Sequence, residues 1–171
     1  DTTDELTIGV TFTRAIAPTI TGTVSMQART FSGGVPVTLT GDFGYGPYSV
    51  ESINRISDNL TFSNTGKGVY TITTLQPRYL NITAAMARTI DTYLDTVITP
   101  LRLVGGNAIW LNDNVINYLD LGKVGSGYTA GITLHPDADV NYDDKVNVQD
   151  LALVAGNFDE TSETAYVDWL P

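Results

Sequence analysis

The 171-residue chain has no cysteine and one histidine. Without thiols it can form no disulfide, thiolate zinc site or cysteine nucleophile. A lone imidazole, His135, cannot supply a two-histidine metal centre, and a histidine-based triad is not expected around it. Positive charge is scarce: nine Lys and Arg stand against nineteen Asp and Glu, for a net charge of −10. That balance repels a phosphate backbone and argues against nucleic acid as a partner. No apolar run approaches the ~20 residues of a membrane-crossing helix, and no glycine-rich phosphate loop occurs. What remains is a chain that is 42% hydrophobic, with 25 threonines and three lysines. This composition is enough for a packed core and points to a strand-rich, exported protein at the cell surface or outside the cell. Nothing in it assembles a catalytic constellation, and the expectation is a non-enzymatic protein.

The hydrophobic period changes along the chain. Leu6, Ile8, Val10 and Phe12 alternate with Thr7, Gly9, Thr11 and Thr13, a two-residue period with one apolar face. The same alternation runs through Ile20 to Met26, Val35 to Thr40, Asn59 to Phe62, Val69 to Leu75 and Tyr79 to Ala84, and more weakly through Tyr93 to Ile98. Turn residues separate these runs at Ser32-Gly33-Gly34, Gly44 with Gly46-Pro47, Asn64-Thr65-Gly66 and Gln76-Pro77. Short strands at such spacing predict an antiparallel, Ig-like β-sandwich. Beyond residue 103 the apolar spacing becomes helical over Asn117 to Val124 and Asn147 to Ala155, with Gly125 and Gly156 expected as stops. The predicted organisation is an N-terminal extension at 1–18, a sandwich at 19–103, a small α module at 104–160 and a tail at 161–171.

The α module contains a repeat. Asp113 to Leu121 aligns without gaps on Asp143 to Leu151, thirty residues on, sharing an Asp, an Asn and an Asp-Leu pair at fixed offsets. In the second copy Asp139, Asn141 and Asp143 sit at alternate positions, and Asp150 follows Asp139 by eleven. This is the spacing of a twelve-residue EF-hand-type loop, in which alternate side chains turn inward to give a hard cation its six to eight oxygens. Lys145 would contribute its main-chain carbonyl at position seven, Asn147 would act through water at nine, and Asp150 would close the shell at twelve. Position six is Asp144 where glycine is usual, so a left-handed turn is expected there on a residue that tolerates it. The expected cofactor is one Ca²⁺. In the first copy, positions one and three fall on Ile109 and Leu111, leaving Asp113, Asn117 and Asp120 as a thinner second ligand set. A shell that uses Asn112 and Asn114 is a further option, and apolar packing through Ile109, Trp110 and Leu111 is the alternative to a metal site.

The stretch Asp139-Val140-Asn141-Tyr142-Asp143-Asp144-Lys145-Val146-Asn147-Val148-Gln149-Asp150-Leu151 resembles a type I dockerin repeat. That pattern is Asp-x-Asn-x-Asp-Gly-x-Val-Asn-x-x-Asp-Leu, with Asp144 replacing the glycine. The resemblance spans about residues 105 to 158 and implies paired loop-helix units, calcium and a cohesin as partner. Upstream, Ile20-Thr21-Gly22-Thr23-Val24, Val35 to Thr40, Leu60-Thr61-Phe62, Gly68 to Thr73 and Pro77-Arg78-Tyr79-Leu80 resemble a carboxypeptidase regulatory-like, transthyretin-type sandwich. That resemblance implies a spacer or adhesive module without catalytic machinery.

Two segments stand outside these units. The strand carrying Leu6, Ile8, Val10 and Phe12 precedes the sandwich and is set off by Pro18. It can fold back on its own sheet or enter a neighbour's by strand addition, which predicts head-to-tail assembly into a filament or surface layer. The tail Tyr166-Val167-Asp168-Trp169-Leu170-Pro171 is expected to cover the domain junction or to serve as an interface. The partner is thus expected to be either a second copy of the chain or a cohesin-like protein. The sequons at Asn59 and Asn81 read as accidental.

Overall fold

The computed structural model describes residues 18–29, 35–42, 47–53, 59–62, 68–83, 88–91, 94–109 and 113–169. The expected strand Leu6 to Thr13, with its expected assembly residues Leu6, Ile8, Val10 and Phe12, lies outside these. Among the described residues ten strands occur: β1 (Ile20–Met26), β2 (Pro36–Asp42), β3 (Pro47–Ile53), β4 (Asn59–Phe62), β5 (Val69–Thr74), β6 (Arg78–Tyr79), β7 (Arg88–Asp91), β8 (Thr96–Val97), β9 (Leu101–Leu103) and β10 (Gly105–Asn107). One sheet has the order β3-β2-β5-β7. The other has β4-β1-β8, with β9 also paired to β1, and β10 pairs with β6 in a short ribbon.

Alternation decides which side chains meet between the sheets. In β2, Val37 and Leu39 are buried while Thr40 is exposed; in β5, Tyr70, Ile72 and Thr74 are buried while Val69 is exposed. From the other sheet Ile20, Val24, Leu60, Phe62, Leu101 and Leu103 complete the core. The architecture is mainly β with few helices, consistent with a sandwich. One difference from the expected antiparallel pattern is that β1 pairs in parallel with β8 and β9. Strands so far apart in sequence need no hairpin, so nothing forces them to run in opposite directions.

The helical part begins at α1 (Tyr118–Ala130), followed by a short 3-10 turn at Pro136–Ala138, α2 (Val148–Gly156) and α3 (Ser162–Ala165). The expected stop at Gly125 is overturned: α1 continues through it and ends where Gly131 takes φ +83°. A Cβ at Gly125 would meet nothing within 4 Å, so that glycine is merely tolerated, whereas one at Gly127 would overlap the Ala138 side chain. Gly127 therefore lets the 136–138 turn lie against the helix.

The two parts share one continuous core. α2 packs on β10, where added side chains at Gly105 and Gly106 would press on Leu153 and the Val154 backbone. The segment 76–82 is the main seat for the helical part. Asn81 closes it internally, its side chain accepting from the Gln76 N–H and donating to the Gln76 and Tyr79 carbonyls. The amide of this sequon residue is thus committed inside the fold. Asn114 then grips the Asn81 backbone at both groups, at 2.8 and 2.7 Å. The tail returns over the seam: the Tyr166 hydroxyl donates to Leu80 O and accepts from Val104 N–H, and the Trp169 indole donates to Thr99 O.

Two substitutions separate these contributions. Leu39→Ala in the sandwich core is expected to cost about 2–5 kcal/mol in denaturant unfolding. Tyr166→Phe removes a buried hydroxyl that satisfies two backbone groups and is expected to cost about 1–3 kcal/mol, with the loss of protection in hydrogen exchange concentrated at the Val104 N–H, which loses its acceptor.

Candidate metal centre

Both helices start in the same way. Asn147 caps α2 by accepting from Gln149 N–H, and Asp150, three residues into the helix, reaches back to accept from Asn147 N–H at 2.8 Å. Asn117 and Asp120 repeat this box at α1. A reciprocal box satisfies backbone donors that have no partner within the helix. It also fixes each aspartate at the mouth of the loop preceding its helix.

In the second loop this brings the carboxylates together. Asp139, Asp143 and Asp150 each present an oxygen within 4.8 Å of the others. Asp139 and Asp150 are buried and Asp143 is exposed. The loop is wound by its own side chains. Asp139 accepts from Asp143 and Asp144 N–H, Asn141 from Asp143 N–H, and Asp143 from Lys145 N–H. Asp150 accepts in addition from Val140 and Asn141 N–H. Asp144 has φ +64°, the left-handed turn expected at position six, and Tyr142 at position four has φ +60°. Of the remaining expected ligands, Lys145 places its N–H on Asp143. Asn147 uses its side-chain oxygen on the cap and its amide nitrogen, at 3.4 Å, on Asp143.

Charge compensation at this loop is incomplete. Among the described residues the two ion pairs of the neighbourhood go to Asp137, which meets Arg78 at 4.0 Å and Lys123 at 3.9 Å. None goes to Asp139, Asp143 or Asp150. Arg78 instead donates to the Asp139 backbone carbonyl at 2.8 Å. Burial raises the pKa of Asp139 and of Asp150 above the ordinary carboxylate value; the backbone donors oppose that shift, and the Asp150 charge adds to the one at Asp139. The donor set is entirely oxygen, with no sulfur or imidazole, and suits a hard divalent cation such as Ca²⁺.

The first loop is built differently. Asp120 is fully buried and accepts from Ile109 N–H at 2.9 Å as well as from Asn117. Burial raises its pKa, and the nearby Asp113 charge adds to this. Asp113 keeps one buried oxygen without a hydrogen-bond partner, and the side-chain oxygen of Asn117 serves the cap. No three acidic groups among the described residues converge here. Asn114, which aligns with Asp144, is spent on the sandwich. The sequence marks Asn81 as a sequon residue and Asn114 as an optional ligand and gives Arg78 and Tyr142 no role of their own; that these four seat the loops depends on contacts between distant segments.

The pKa shifts carry a pH signature for the metal-free chain. A carboxylate whose pKa is raised by folding holds its proton more tightly in the folded state. Its contribution to stability is therefore present at low pH and is lost as pH rises from 3.8 through the raised values of Asp120, Asp139 and Asp150. In chelator, the melting temperature attributable to these groups is expected to fall across that window. With millimolar Ca²⁺ the part due to Asp139 and Asp150 is expected to reverse sign, since the ion competes with the protons. Thermal melts over pH 4 to 7 with and without chelator check this.

No family model and no curated protein matches the chain. Among solved structures it is similar to a chain of a type II cohesin-X-dockerin complex from Acetivibrio cellulolyticus. An N-terminal interface mutant of that complex matches at 17% identity and a TM-score of 0.59, and a C-terminal interface mutant at 18% and 0.61. Each match covers 86% of this chain and 99% of the other. A DUF3823 family protein from Bacteroides ovatus matches over 53% of this chain and 45% of its own at 15% identity and a TM-score of 0.40. The first two establish a likeness of fold over most of the chain.

Proposed function

We propose that the chain is a secreted, non-catalytic anchoring module that binds calcium at Asp139, Asn141, Asp143, Lys145 O, Asn147 and Asp150 and docks through its helices on a cohesin-type β-sandwich protein. One observation carries the docking half of this reading. α1 exposes Tyr118, Leu121 and Gly122 along one face, with Gly125 open beside them and Tyr128 at the end. Thirty residues on, α2 exposes Val148, Ala152 and Ala155, with Phe158 just beyond. Both faces have large apolar residues at their ends, and between them lie Gly122 and Gly125 beside Leu121 in α1 and Ala152 and Ala155 in α2, small residues that let a flat partner approach the helix backbone closely. The opposite faces, with Asp120 and Val124 in α1 and Asp150 and Val154 in α2, are buried. The fold likeness to a chain of a cohesin-X-dockerin complex supports the same reading, with the sandwich in the place of the X module.

In this reading calcium neutralises the crowded carboxylates and fixes the loop that orients α2, so that removing the metal removes folding free energy. Calorimetric titration is expected to show Ca²⁺ binding that Asp139→Ala and Asp150→Ala each abolish, and chelation is expected to lower the melting temperature and loosen residues 139–156 first in hydrogen exchange. Absence of any heat or melting shift at millimolar Ca²⁺ overturns the metal half.

Docking is tested on a panel of cohesins by surface plasmon resonance. Gly125→Glu and Ala155→Glu, both at open positions, are expected to leave the fold intact and weaken binding by about tenfold or more, as a charge buried at an interface does. No binding across the panel overturns the docking half. Filaments formed by the chain alone would favour the segment carrying Leu6, Ile8, Val10 and Phe12 as the assembly element instead.

A further inference from the structure

We propose that Tyr142, which offers the cation no ligand atom, is a positioning residue for the 139–150 loop, held in place by a clamp that the sandwich supplies. The inference rests on the calcium reading and extends it: the loop's affinity for the ion becomes a property of both halves of the chain.

Tyr142 lies between two ligand residues, Asn141 and Asp143, and its backbone is left-handed, with φ +60°. That conformation is unfavourable for a residue with a Cβ and more so for a bulky one. It persists where surrounding contacts over-determine it. Here the contacts come from the sandwich side. The Tyr142 hydroxyl donates to Pro77 O at 3.1 Å. The guanidinium carbons of Arg29 and Arg78 lie over its ring at 4.1 and 4.0 Å, within cation–π range. Its ring stacks on that of Tyr79, with centroids 6.3 Å apart and planes 11° from parallel.

The left-handed turn has a direct effect on the ligand set. It delivers the Asp143 N–H to Asn141 Oδ1 at 2.9 Å and to Asp139 Oδ1 at 3.1 Å, so three ligand residues are tied together across Tyr142. The sandwich also holds position one, through Arg78 Nη1 on Asp139 O. Pro77 and Arg78 thus grasp the loop at two points three residues apart. Released from the clamp, Tyr142 relaxes to a right-handed or extended backbone and the ligand oxygens separate. The ion must then restore the arrangement at the cost of its own affinity. Linkage makes the effect reciprocal: an ion that fixes Asn141 and Asp143 also fixes Tyr142, and through it the 76–82 segment. Arg78 is the poorer residue to test, since its removal takes away both a clamp contact and a positive charge that opposes the ion.

The experiment uses the full chain. Ca²⁺ titrations compare wild type with Tyr142→Ala, Tyr142→Phe and Trp169→Ala. Tyr142→Ala is expected to weaken Ca²⁺ binding by about tenfold or more. Tyr142→Phe keeps the ring, loses the hydroxyl's hydrogen bonding to the 76–77 segment, and is expected to weaken it by roughly threefold. Trp169→Ala opens the seam at a site away from the loop and is expected to lower the melting temperature while leaving the affinity unchanged. In hydrogen exchange, chelator is expected to deprotect residues 76–82 of the wild type, and Tyr142→Ala to show that deprotection with calcium present. Wild-type affinity in Tyr142→Ala overturns the proposal, as does an equal loss in Trp169→Ala. Should Tyr142→Ala not fold, Tyr142→Phe with unaltered affinity and unaltered exchange at 76–82 overturns it. A wild type that takes up no Ca²⁺ overturns the metal reading itself, and metal-free Tyr142→Ala with unaltered exchange at 76–82 then refutes the clamp separately.

Discussion

A carboxylate taken out of water must find positive charge, and two of them, Asp139 and Asp150, are buried beside a third, the exposed Asp143. Backbone N–H groups supply part of it, two or three to each buried aspartate. They are dipoles and leave the net charge in place. The ion pairs of the neighbourhood go to Asp137, and Arg29 and Arg78 lie over the Tyr142 ring; of these cations Arg78 acts on Asp139, too weakly to undo the rise that burial causes. Much of the rest of the helical part follows from this constraint. The reciprocal cap fixes Asp150, the left-handed residues at 142 and 144 wind the loop, and the sandwich holds its rim.

The two repeats solve the problem differently from a common starting point. Each keeps an Asn cap and a fully buried Asp three residues into its helix. The second loop keeps its inward oxygens. The first has apolar residues at two of those positions and turns Asn114 outward onto the Asn81 backbone. Both loops therefore sit on the same stretch of the sandwich, one through Asn114 and the other through Tyr142 and the Asp139 carbonyl.

Much of this was legible in the sequence where a period or a spacing exists to be read. β1 coincides with the alternating run Ile20 to Met26, and α2 begins one residue after its predicted start at Asn147. The acidic trio follows from the one-three-five-twelve spacing. β9 escaped because three residues cannot display a period, and β3 because its run starts at Pro47, which reads as turn. Of the expected strand from Tyr79 to Ala84, the described residues 80–83 lie outside any strand and Arg78–Tyr79 is the element found, since Asn81 turns its amide back onto Gln76 and Tyr79. α1 outran its predicted end because an open glycine inside a helix costs only about 1 kcal/mol. The clamp around Tyr142 had no local signal at all. Arg29, Pro77 and Tyr142 are far apart in sequence, and only the closed fold makes neighbours of them.

The parallel seam of β1 with β9 has a mechanical meaning. Val24 faces Leu101 and Met26 faces Leu103, both strands pointing the same way. Tension between the chain before Ile20 and the chain beyond Leu103 pulls these strands in opposite directions along their length. The hydrogen bonds then bear the load together in shear, where an antiparallel hairpin would unzip one bond at a time. A tether carrying drag between two bodies would draw its strength from that seam.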